Sequence, residues 1–138
     1  MKTGETYFHS LRELHPRVYL LGEEVESALD HPILRPSANA LALTYDLAAG
    51  AEHEKLLVRR GLSGPVNAFC CLHQSAQDLV DKVKALRVLG QQTGTCFQRC
   101  VGWDALNALS SVTFEMDRAK GTSYHPRFLE FLRYVQIE

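Results

Sequence analysis

Apolar residues recur at three- and four-residue spacing over most of the chain, which is the period of amphipathic helices. One stretch opens with a capping-box-like run from Ser75 to Asp78 and lasts until Gly90, with apolar positions at Leu79, Val83, Leu86 and Leu89. A longer stretch, Cys96 to Lys120, keeps the spacing up to Gly121 through Val101, Ala105, Ala108, Leu109, Val112 and Met116. The pattern therefore predicts two long helices, at residues 75–90 and 96–120.

Three further segments have the same period. A first helix is predicted from Thr3 to Leu14, ahead of Pro16, and a second from Ser37 to Ala49, ahead of Gly50. At the end of the chain, a His-Pro step at residues 125–126 leads into an apolar face made by Phe128, Leu129, Phe131, Leu132 and Val135. Because such a face needs a covering layer, Leu129, Leu132 and the neighbouring aromatic residues predict an interface, with self-association as a consequence.

Strand signals are confined to one segment. Residues 17–26 place β-prone side chains on both sides of Gly22, which predicts a small hairpin. Residues 50–67 mix charges with Gly61, Ser63, Gly64 and Pro65, which is typical of a surface loop. Helical periods dominate and strands never alternate with helices, so the predicted fold class is all-α, a helical bundle with one minor β-hairpin.

Composition narrows the class of protein. A chain of 138 residues with 46% hydrophobic and 22% charged residues has the size and usage of one globular domain. The net charge is −1 and the basic residues are scattered, which argues against a nucleic-acid partner. No apolar run approaches the roughly 20 residues that span a bilayer, and the N-terminus is polar, so we expect a cytoplasmic protein without a membrane partner.

Two pairs of cysteines are the main candidates for chemistry. Cys70 and Cys71 are adjacent, whereas Cys96 and Cys100 are four apart. On a helix, side chains at that spacing leave the same face with Cβ atoms about 5–6 Å apart, and a disulfide needs about 3.5–4.5 Å. The geometry favours metal ligation over a cross-link, but cubane clusters and structural zinc usually need four protein ligands. By spacing alone, two small buried thiols remain the simpler interpretation, because free cysteine is commonly buried.

Other polar residues carry weaker signals. Arg99 could meet a phosphate or a carboxylate, but a lone arginine on a helix is more often a surface or ion-pairing residue, so its role is left unassigned. His73 and Gln74 precede the predicted third helix, where they would line a cleft or make local hydrogen bonds. Asp104 and Glu115 have no partner at acid–base spacing and are interpreted as solvated or salt-bridged. Cys70 and Cys71 are taken as ordinary thiols.

The run from Gly90 to Asn107, which contains Cys96 and Cys100, closely resembles the cluster-binding segment of the 4-hydroxybutyryl-CoA dehydratases (vinylacetyl-CoA isomerases). The opening from Thr3 to Arg12 and the His-Pro loop at residues 31–32 resemble the wider family that includes the flavin-dependent 4-hydroxyphenylacetate 3-hydroxylases. The likeness covers nearly the whole chain. Since the hydroxylases lack a cluster, the cysteine pair indicates the dehydratase branch.

The resemblance implies that residues 1–138 form the helical N-terminal domain of a subunit whose β domain and C-terminal helical domain are absent here. It implies that Cys96 and Cys100 supply two ligands of a [4Fe-4S] cluster, and that a His and a Cys from the C-terminal segment supply the others. FAD and an acyl-CoA substrate belong to the complete, homo-oligomeric enzyme. Gln98 would face the active site, where its amide would hydrogen-bond the substrate or the flavin.

These implications leave the activity of the isolated chain open. We expect no catalysis until the missing domains or a second subunit are supplied, and the sequence leaves open whether a cluster or flavin binds before then. One alternative is a free-standing helical module that kept the fold and binds a partner through an apolar face. Another is a fragment of a flavin-dependent aromatic hydroxylase, which the opening segment permits and the cysteine pair disfavours.

Overall fold

A computed structural model of the chain describes residues 1–62, 64–97 and 99–137. In chain order, its elements are α1 (Gly4–Glu13), β1 (Val18–Leu20), β2 (Glu23–Val25), α2 (Arg35–Ala49), α3 (Glu54–Leu57), β3 (Val58–Arg60), β4 (Pro65–Asn67), a 3-10 helix (Ala68–Cys70), α4 (Ala76–Thr93), α5 (Arg99–Lys120) and α6 (Tyr124–Ile137). Most of the described chain is helical, which confirms the predicted fold class. In this part of the chain, none of the helices combines the length and apolar character needed to cross a bilayer.

Helix α1 lies against α2 through a close backbone approach. The N–H of Gly4 donates to the Asp46 carboxylate at 2.7 Å, and a Cβ atom on Gly4 would come within 2.5 Å of that carboxylate. The rings of Tyr7 and Tyr45 stack above this contact, with centroids 5.3 Å apart. Thr3 and Thr6 form a capping box at the start of α1. The first helix is therefore held by its N-terminal turn.

The larger of two hydrophobic clusters joins α2, α3, the 3-10 helix, α4 and the segment that begins α5. Its buried members are Ala40, Ala48, Leu57, Ala68, Phe69, Ala85, Leu89, Phe97 and Trp103. Leu57 and Leu89 are completely inaccessible to solvent. Four of the nine members are alanine, so the helices approach closely and the aromatic rings fill most of the remaining space.

The second cluster joins α5 to α6. Leu106, Phe128 and Leu132 are buried, and Leu129 packs against them. Leu129 and Leu132 are therefore covered by this cluster within the chain and not by an external partner, whereas self-association through the neighbouring aromatic residues stays a prediction. The side of α6 that faces solvent carries Phe131, Tyr134 and Ile137.

The turn between α5 and α6 is organised by one carboxylate. Asp117 accepts hydrogen bonds from the Thr122 hydroxyl at 2.7 Å and from the backbone N–H groups of Tyr124 and His125, both at 2.8 Å. These bonds satisfy backbone donors at the start of α6. Burial alone would raise the pKa of Asp117, but the three hydrogen bonds outweigh it and keep that pKa below its ordinary value. Helix α6 is consequently folded back along α5.

Two hairpins are present where the sequence predicted one. The predicted hairpin forms from β1 and β2, with Val18 opposite Val25 and positive φ angles at Leu21 and Gly22 in the turn. The second, β3 with β4, lies in residues 50–67, which were predicted to be a surface loop. Each of its strands has three residues, which is too short for an alternating pattern to be visible. Burial of Leu57 and Val66 fixes this segment against the core.

Two predicted helix boundaries are also wrong. Helix α4 continues through Gly90 to Thr93 and ends at Gly94, which has φ +64° and whose N–H donates to the Gly90 carbonyl at 3.0 Å. Helix α5 begins at Arg99, so Cys96 lies in the connection ahead of it and not on a helix. A left-handed residue cannot continue an α-helix, and the chain needs the residues after it to turn into α5.

The apolar positions of α4 and α5 are divided between the core and the surface. Leu89 of α4 is buried, whereas Leu79 and Val83, predicted on the same stripe, are exposed. On α5, the inward positions are Trp103 and Leu106, and the exposed hydrophobic residues are Val101, Leu109, Val112, Phe114 and Met116. The predicted α5 stripe therefore exists and faces solvent.

The two glycines at the end of α4 predict stability changes of opposite sign. Gly94→Ala is expected to lower the free energy of unfolding by about 1 kcal/mol, because alanine is strained at a positive φ. Gly90→Ala is expected to raise it by about 0.5–1 kcal/mol, because this residue is helical and an added Cβ meets nothing within 4 Å. Urea unfolding followed by circular dichroism measures both; changes of the same sign would contradict the assigned cap.

Candidate functional site

The two candidate ligands lie on either side of the start of α5. Cys96 is exposed in the connection between α4 and α5, and Cys100 is half-buried in the first turn of α5. Both are free thiols. The interpretation of the pair as two buried helix residues is therefore wrong for Cys96, and helical i, i+4 geometry does not describe the pair. Gln98, the candidate catalytic residue between them, lies outside the described residues.

The segment that carries the cysteines is attached to the core through one aromatic ring. Phe97 is buried and meets Phe69 edge-on, with ring centroids 5.9 Å apart. Trp103, one turn into α5, lies 5.1 Å from the same ring. Phe69 belongs to the 3-10 helix, and its backbone N–H donates to the side-chain oxygen of Asn67, the last residue of β4, at 3.2 Å. Phe97 between the two cysteines and Trp103 after them are buried, while Cys96 stays at the surface.

Arg99 is the residue that sequence reasoning misjudged. Its guanidinium carbon lies 4.1 Å from the centre of the Tyr45 ring and 4.6 Å from that of Phe69. One of its Nη atoms donates to the Thr44 hydroxyl at 2.8 Å. It has no carboxylate partner in the described residues, so it is not the surface or ion-pairing residue that was expected. Burial lowers the pKa of Arg99 below its ordinary value, although arginine remains protonated in proteins.

Hydrogen bonds fix the next turn of α5 to the strand-like segment after the 3-10 helix. The indole N–H of Trp103 donates to the Cys71 carbonyl at 2.9 Å. The Asn107 side chain donates to the Trp103 carbonyl and accepts from the backbone N–H of His73, at 2.9 and 2.8 Å. Because amide and indole groups rarely stay unpaired when buried, this arrangement specifies one register of α5 against residues 71–73.

His73 borders a small cavity, as the cleft interpretation expected. Its ring lies 5.2 Å from Trp103, and its Nε2 atom is buried without a hydrogen-bond partner among the described residues. The cavity has a volume of about 160 Å³, and Gln74 also borders it. Burial, and to a lesser extent the charge of Lys82, lowers the pKa of His73. This favours the neutral ring at physiological pH.

The remaining candidates are structural. Asp104 forms an ion pair with Lys82, and Glu115 is exposed. Burial raises the pKa of the Cys70 thiol and raises that of Cys71 to about 11. Both thiols therefore stay protonated near neutral pH. In the described ranges, no group of three or more His, Cys, Asp or Glu side chains comes together as a metal site.

Thiol labelling is expected to separate the cysteines by accessibility. At pH 8, only about one molecule in a thousand carries a Cys71 thiolate when its pKa is about 11, and the side chain is 8% exposed. The folded chain should therefore react with dithionitrobenzoate first at Cys96, and at Cys71 only after unfolding in denaturant. Loss of the fast phase in Cys96→Ser identifies it, and a fast phase that persists in that variant would contradict the assignment.

Comparison with known proteins identifies the family. The model of the 4-hydroxyphenylacetate 3-hydroxylase N-terminal domain matches residues 3–138. The chain belongs to this family. Within the 4-hydroxyphenylacetate 3-hydroxylase family, it is 48% identical to the 4-hydroxybutyryl-CoA dehydratase/vinylacetyl-CoA-Delta-isomerase of Clostridium aminobutyricum, over 99% of this chain and 28% of that protein. The chain thus spans little more than a quarter of that relative's length.

Among solved structures, this chain is much more similar to a dehydratase than to an oxygenase component. An oxygen-tolerant archaeal 4-hydroxybutyryl-CoA dehydratase from N. maritimus superposes with a TM-score of 0.91 and 52% identity, over 98% of this chain and 27% of that one. The oxygenase component of 4-hydroxyphenylacetate 3-monooxygenase, solved with FAD, gives a TM-score of 0.59 at 23% identity, over 67% of this chain and 19% of that one. The second likeness concerns the fold alone. The resemblance to the dehydratase branch is confirmed.

A further relative, the oxygenase component of 4-nitrophenol 2-monooxygenase from Rhodococcus sp, is 37% identical over 56% of this chain and 15% of its own length. The sequences similar to this chain therefore include an oxygenase component as well as a dehydratase/isomerase.

Proposed function

We propose that this chain is the N-terminal domain of a 4-hydroxybutyryl-CoA dehydratase/vinylacetyl-CoA isomerase, which forms crotonyl-CoA from 4-hydroxybutyryl-CoA with FAD and a [4Fe-4S] cluster. One observation carries the proposal. Cys96 and Cys100 remain free and at least partly accessible, while Phe97, Arg99 and Trp103 around them turn into the core. Because free cysteine is commonly buried, two accessible thiols four residues apart are unusual in a segment that has only a structural role.

The donor set fits half of a cluster site. Two cysteine thiolates are the ligands that iron–sulfur clusters commonly use, and neither is engaged in a disulfide. The described residues bring no third donor to the pair. The proposal therefore assigns the other two ligands, a His and a Cys, to the C-terminal helical domain of the complete enzyme.

The residues of this chain have distinct tasks in the proposed enzyme. Cys96 and Cys100 hold one side of the cluster, and the buried rings of Phe97 and Trp103 exclude water from behind them. When bound, the cluster and FAD supply a Lewis-acidic iron for the substrate hydroxyl and a one-electron carrier that eases removal of a non-acidic proton. Gln98 is proposed to orient the substrate or the flavin through its amide.

The exposed side of α5 supports a covering layer next to the cysteines. Val101 directly follows Cys100 and is 67% exposed, and Val112, three turns along, is 54% exposed. Isolated apolar residues are common on surfaces, but a continuous row along one helix marks an interaction surface. We propose that the β domain and C-terminal domain of the complete subunit, or another subunit of a homo-oligomer, cover this row and bring the acyl-CoA substrate to the pair.

A chimeric enzyme tests the proposal. In the Clostridium aminobutyricum dehydratase, this chain replaces the matching N-terminal segment, and the chimera is purified without oxygen beside the parent enzyme and the isolated chain. We expect the chimera to contain iron, acid-labile sulfide and FAD and to convert 4-hydroxybutyryl-CoA. The isolated chain should do none of this.

The chimera also separates the alternatives. A folded chimera that binds FAD without iron would contradict the dehydratase proposal. Hydroxylation of 4-hydroxyphenylacetate by a second chimera, built on the remaining domains of a hydroxylase, would then favour the aromatic hydroxylase. If neither chimera is active, partner binding that survives Cys96→Ser would favour a separate interaction module.

A further inference from the structure

We propose that Arg99 is a positioning residue for the cysteine pair: its guanidinium, clamped between Tyr45 and Phe69, sets the direction in which Cys96 and Cys100 leave the domain. The inference rests on the proposed function, because it concerns how the chain presents the two thiols to a cluster. It adds a role for a side chain that cannot itself be a ligand, because a protonated guanidinium has no lone pair to offer a metal.

The clamp restrains the guanidinium in several directions. Tyr45 comes from α2 and Phe69 from the 3-10 helix, and the guanidinium carbon lies within 4.6 Å of both ring centres. The Thr44 hydroxyl, which is fully buried, accepts a hydrogen bond from Arg99 and donates to the Leu41 carbonyl at 2.6 Å. Sliding or turning the guanidinium would break at least one of these contacts.

The restraint is transmitted to the thiols by the backbone. Arg99 is the first residue of α5, and its N–H donates to the Phe97 carbonyl at 2.8 Å. Successive side chains on a helix point about 100° apart, so an inward Arg99 turns Cys100 away from the clamp. The bond to Phe97 links the same residue to the connection that holds Cys96.

The clamp also explains why position 99 is an arginine. A guanidinium is planar and presents two faces, so it can contact two rings and still donate hydrogen bonds at its edge. A lysine ammonium is a compact charge on a flexible stem and cannot fill the same space. Phe97 and Trp103 also belong to the core cluster. We therefore expect loss of the clamp to loosen the orientation of the pair more than it destabilises the domain.

The first experiment compares variants of the chimeric enzyme by the rate at which a chelator removes iron anoxically. Arg99→Met keeps an unbranched apolar stem and removes the planar cation, and Arg99→Lys keeps the charge. Arg59→Met is the matched control, since Arg59 is a half-buried arginine that pairs with Asp81 at 3.0 Å. We expect Arg99→Met to release iron about 10–100 times faster, with an altered electron paramagnetic resonance spectrum, and Arg99→Lys to be intermediate.

Two outcomes of this comparison would overturn the inference. One is an Arg99→Met enzyme whose iron release and spectrum match those of the unmodified chimera. The other is an equal acceleration in Arg59→Met, which would show general destabilisation. Failure of the proposed function is recognised separately, because the unmodified chimera would then contain no iron.

A second measurement needs no cluster. In the 138-residue chain, hydrogen–deuterium exchange is followed in peptides covering residues 94–102 and, as an internal reference, residues 124–137. Arg99→Met should speed exchange about tenfold in the first peptide and leave the second unchanged, whereas Arg59→Met should change neither. Unchanged exchange at residues 94–102 would overturn the positioning role whether or not iron binds.

Discussion

Serine at either Cys96 or Cys100 is expected to remove the cluster from the chimeric enzyme and to reduce dehydration of 4-hydroxybutyryl-CoA below detection. A serine hydroxyl has nearly the size of a thiol, so the fold should survive the change. It is a harder and far less acidic donor than a thiol, and it binds iron in a cluster poorly. Iron and acid-labile sulfide should fall from about four of each per subunit to the background of the isolated chain.

Cys71→Ala is the matched control for these variants. Cys71 is buried, its thiol stays protonated, and Trp103 bonds to its backbone carbonyl and not to its side chain. The control should keep its cluster and its activity. Retention of a full cluster in Cys96→Ser, or loss of iron in Cys71→Ala to the same extent, would contradict the assignment of the ligands.

Phe69→Ala should produce the largest loss of stability in the isolated chain, about 3–5 kcal/mol in the free energy of unfolding. The Phe69 ring is 4% exposed and contacts Phe97, Arg99 and Trp103. Alanine would leave a cavity that these neighbours cannot fill without moving. Arg99 would also lose one of the two aromatic rings that contact its guanidinium. Urea unfolding followed by tryptophan fluorescence measures the change, since Trp103 is the only tryptophan of the chain.

Phe131→Ala provides the comparison for Phe69→Ala. Phe131 is 50% exposed on the outer side of α6, so its removal creates no enclosed cavity and should cost less than about 1 kcal/mol. Equal losses in the two variants would show that Phe69 has no special place in the core.

The long helices were predictable because their evidence is local. The capping box at Ser75 and Asp78 and the period of the following residues were visible in the sequence, and the structure begins α4 at Ala76. The end of α4 was harder to predict, because either Gly90 or Gly94 can end a helix and only the backbone conformation distinguishes them. The three-residue strands of the second hairpin carry no period, and their pairing depends on burial of residues distant in sequence.

Spacing and resemblance made the cysteine pair a candidate site, but the sequence did not show what surrounds it. Nothing local to Arg99 shows that Tyr45 and Phe69, 54 and 30 positions earlier, enclose it. The last helix gives a second example. Its apolar residues predicted a buried face, but the sequence did not show which element would cover it. Leu132 is covered by α5, and Ile137 of the same helix is left exposed. Sequence patterns predicted where the apolar faces lie, and tertiary packing decided which of those faces is buried.

The hydrogen bonds of Gln136 can form only late in the synthesis of this chain, after the cysteine segment has been made. Its amide donates to the Cys70 carbonyl and accepts from the Leu62 N–H, both at 2.8 Å, and so holds the 3-10 helix and the second hairpin together from the last turn of α6. These contacts cannot form until almost all 138 residues have left the ribosome. Cys96 and Cys100 emerge earlier, while the support for Phe69 is still incomplete. The surroundings of Phe69, against which Phe97 and Arg99 pack, should therefore be completed only when the last helix of this chain has been translated.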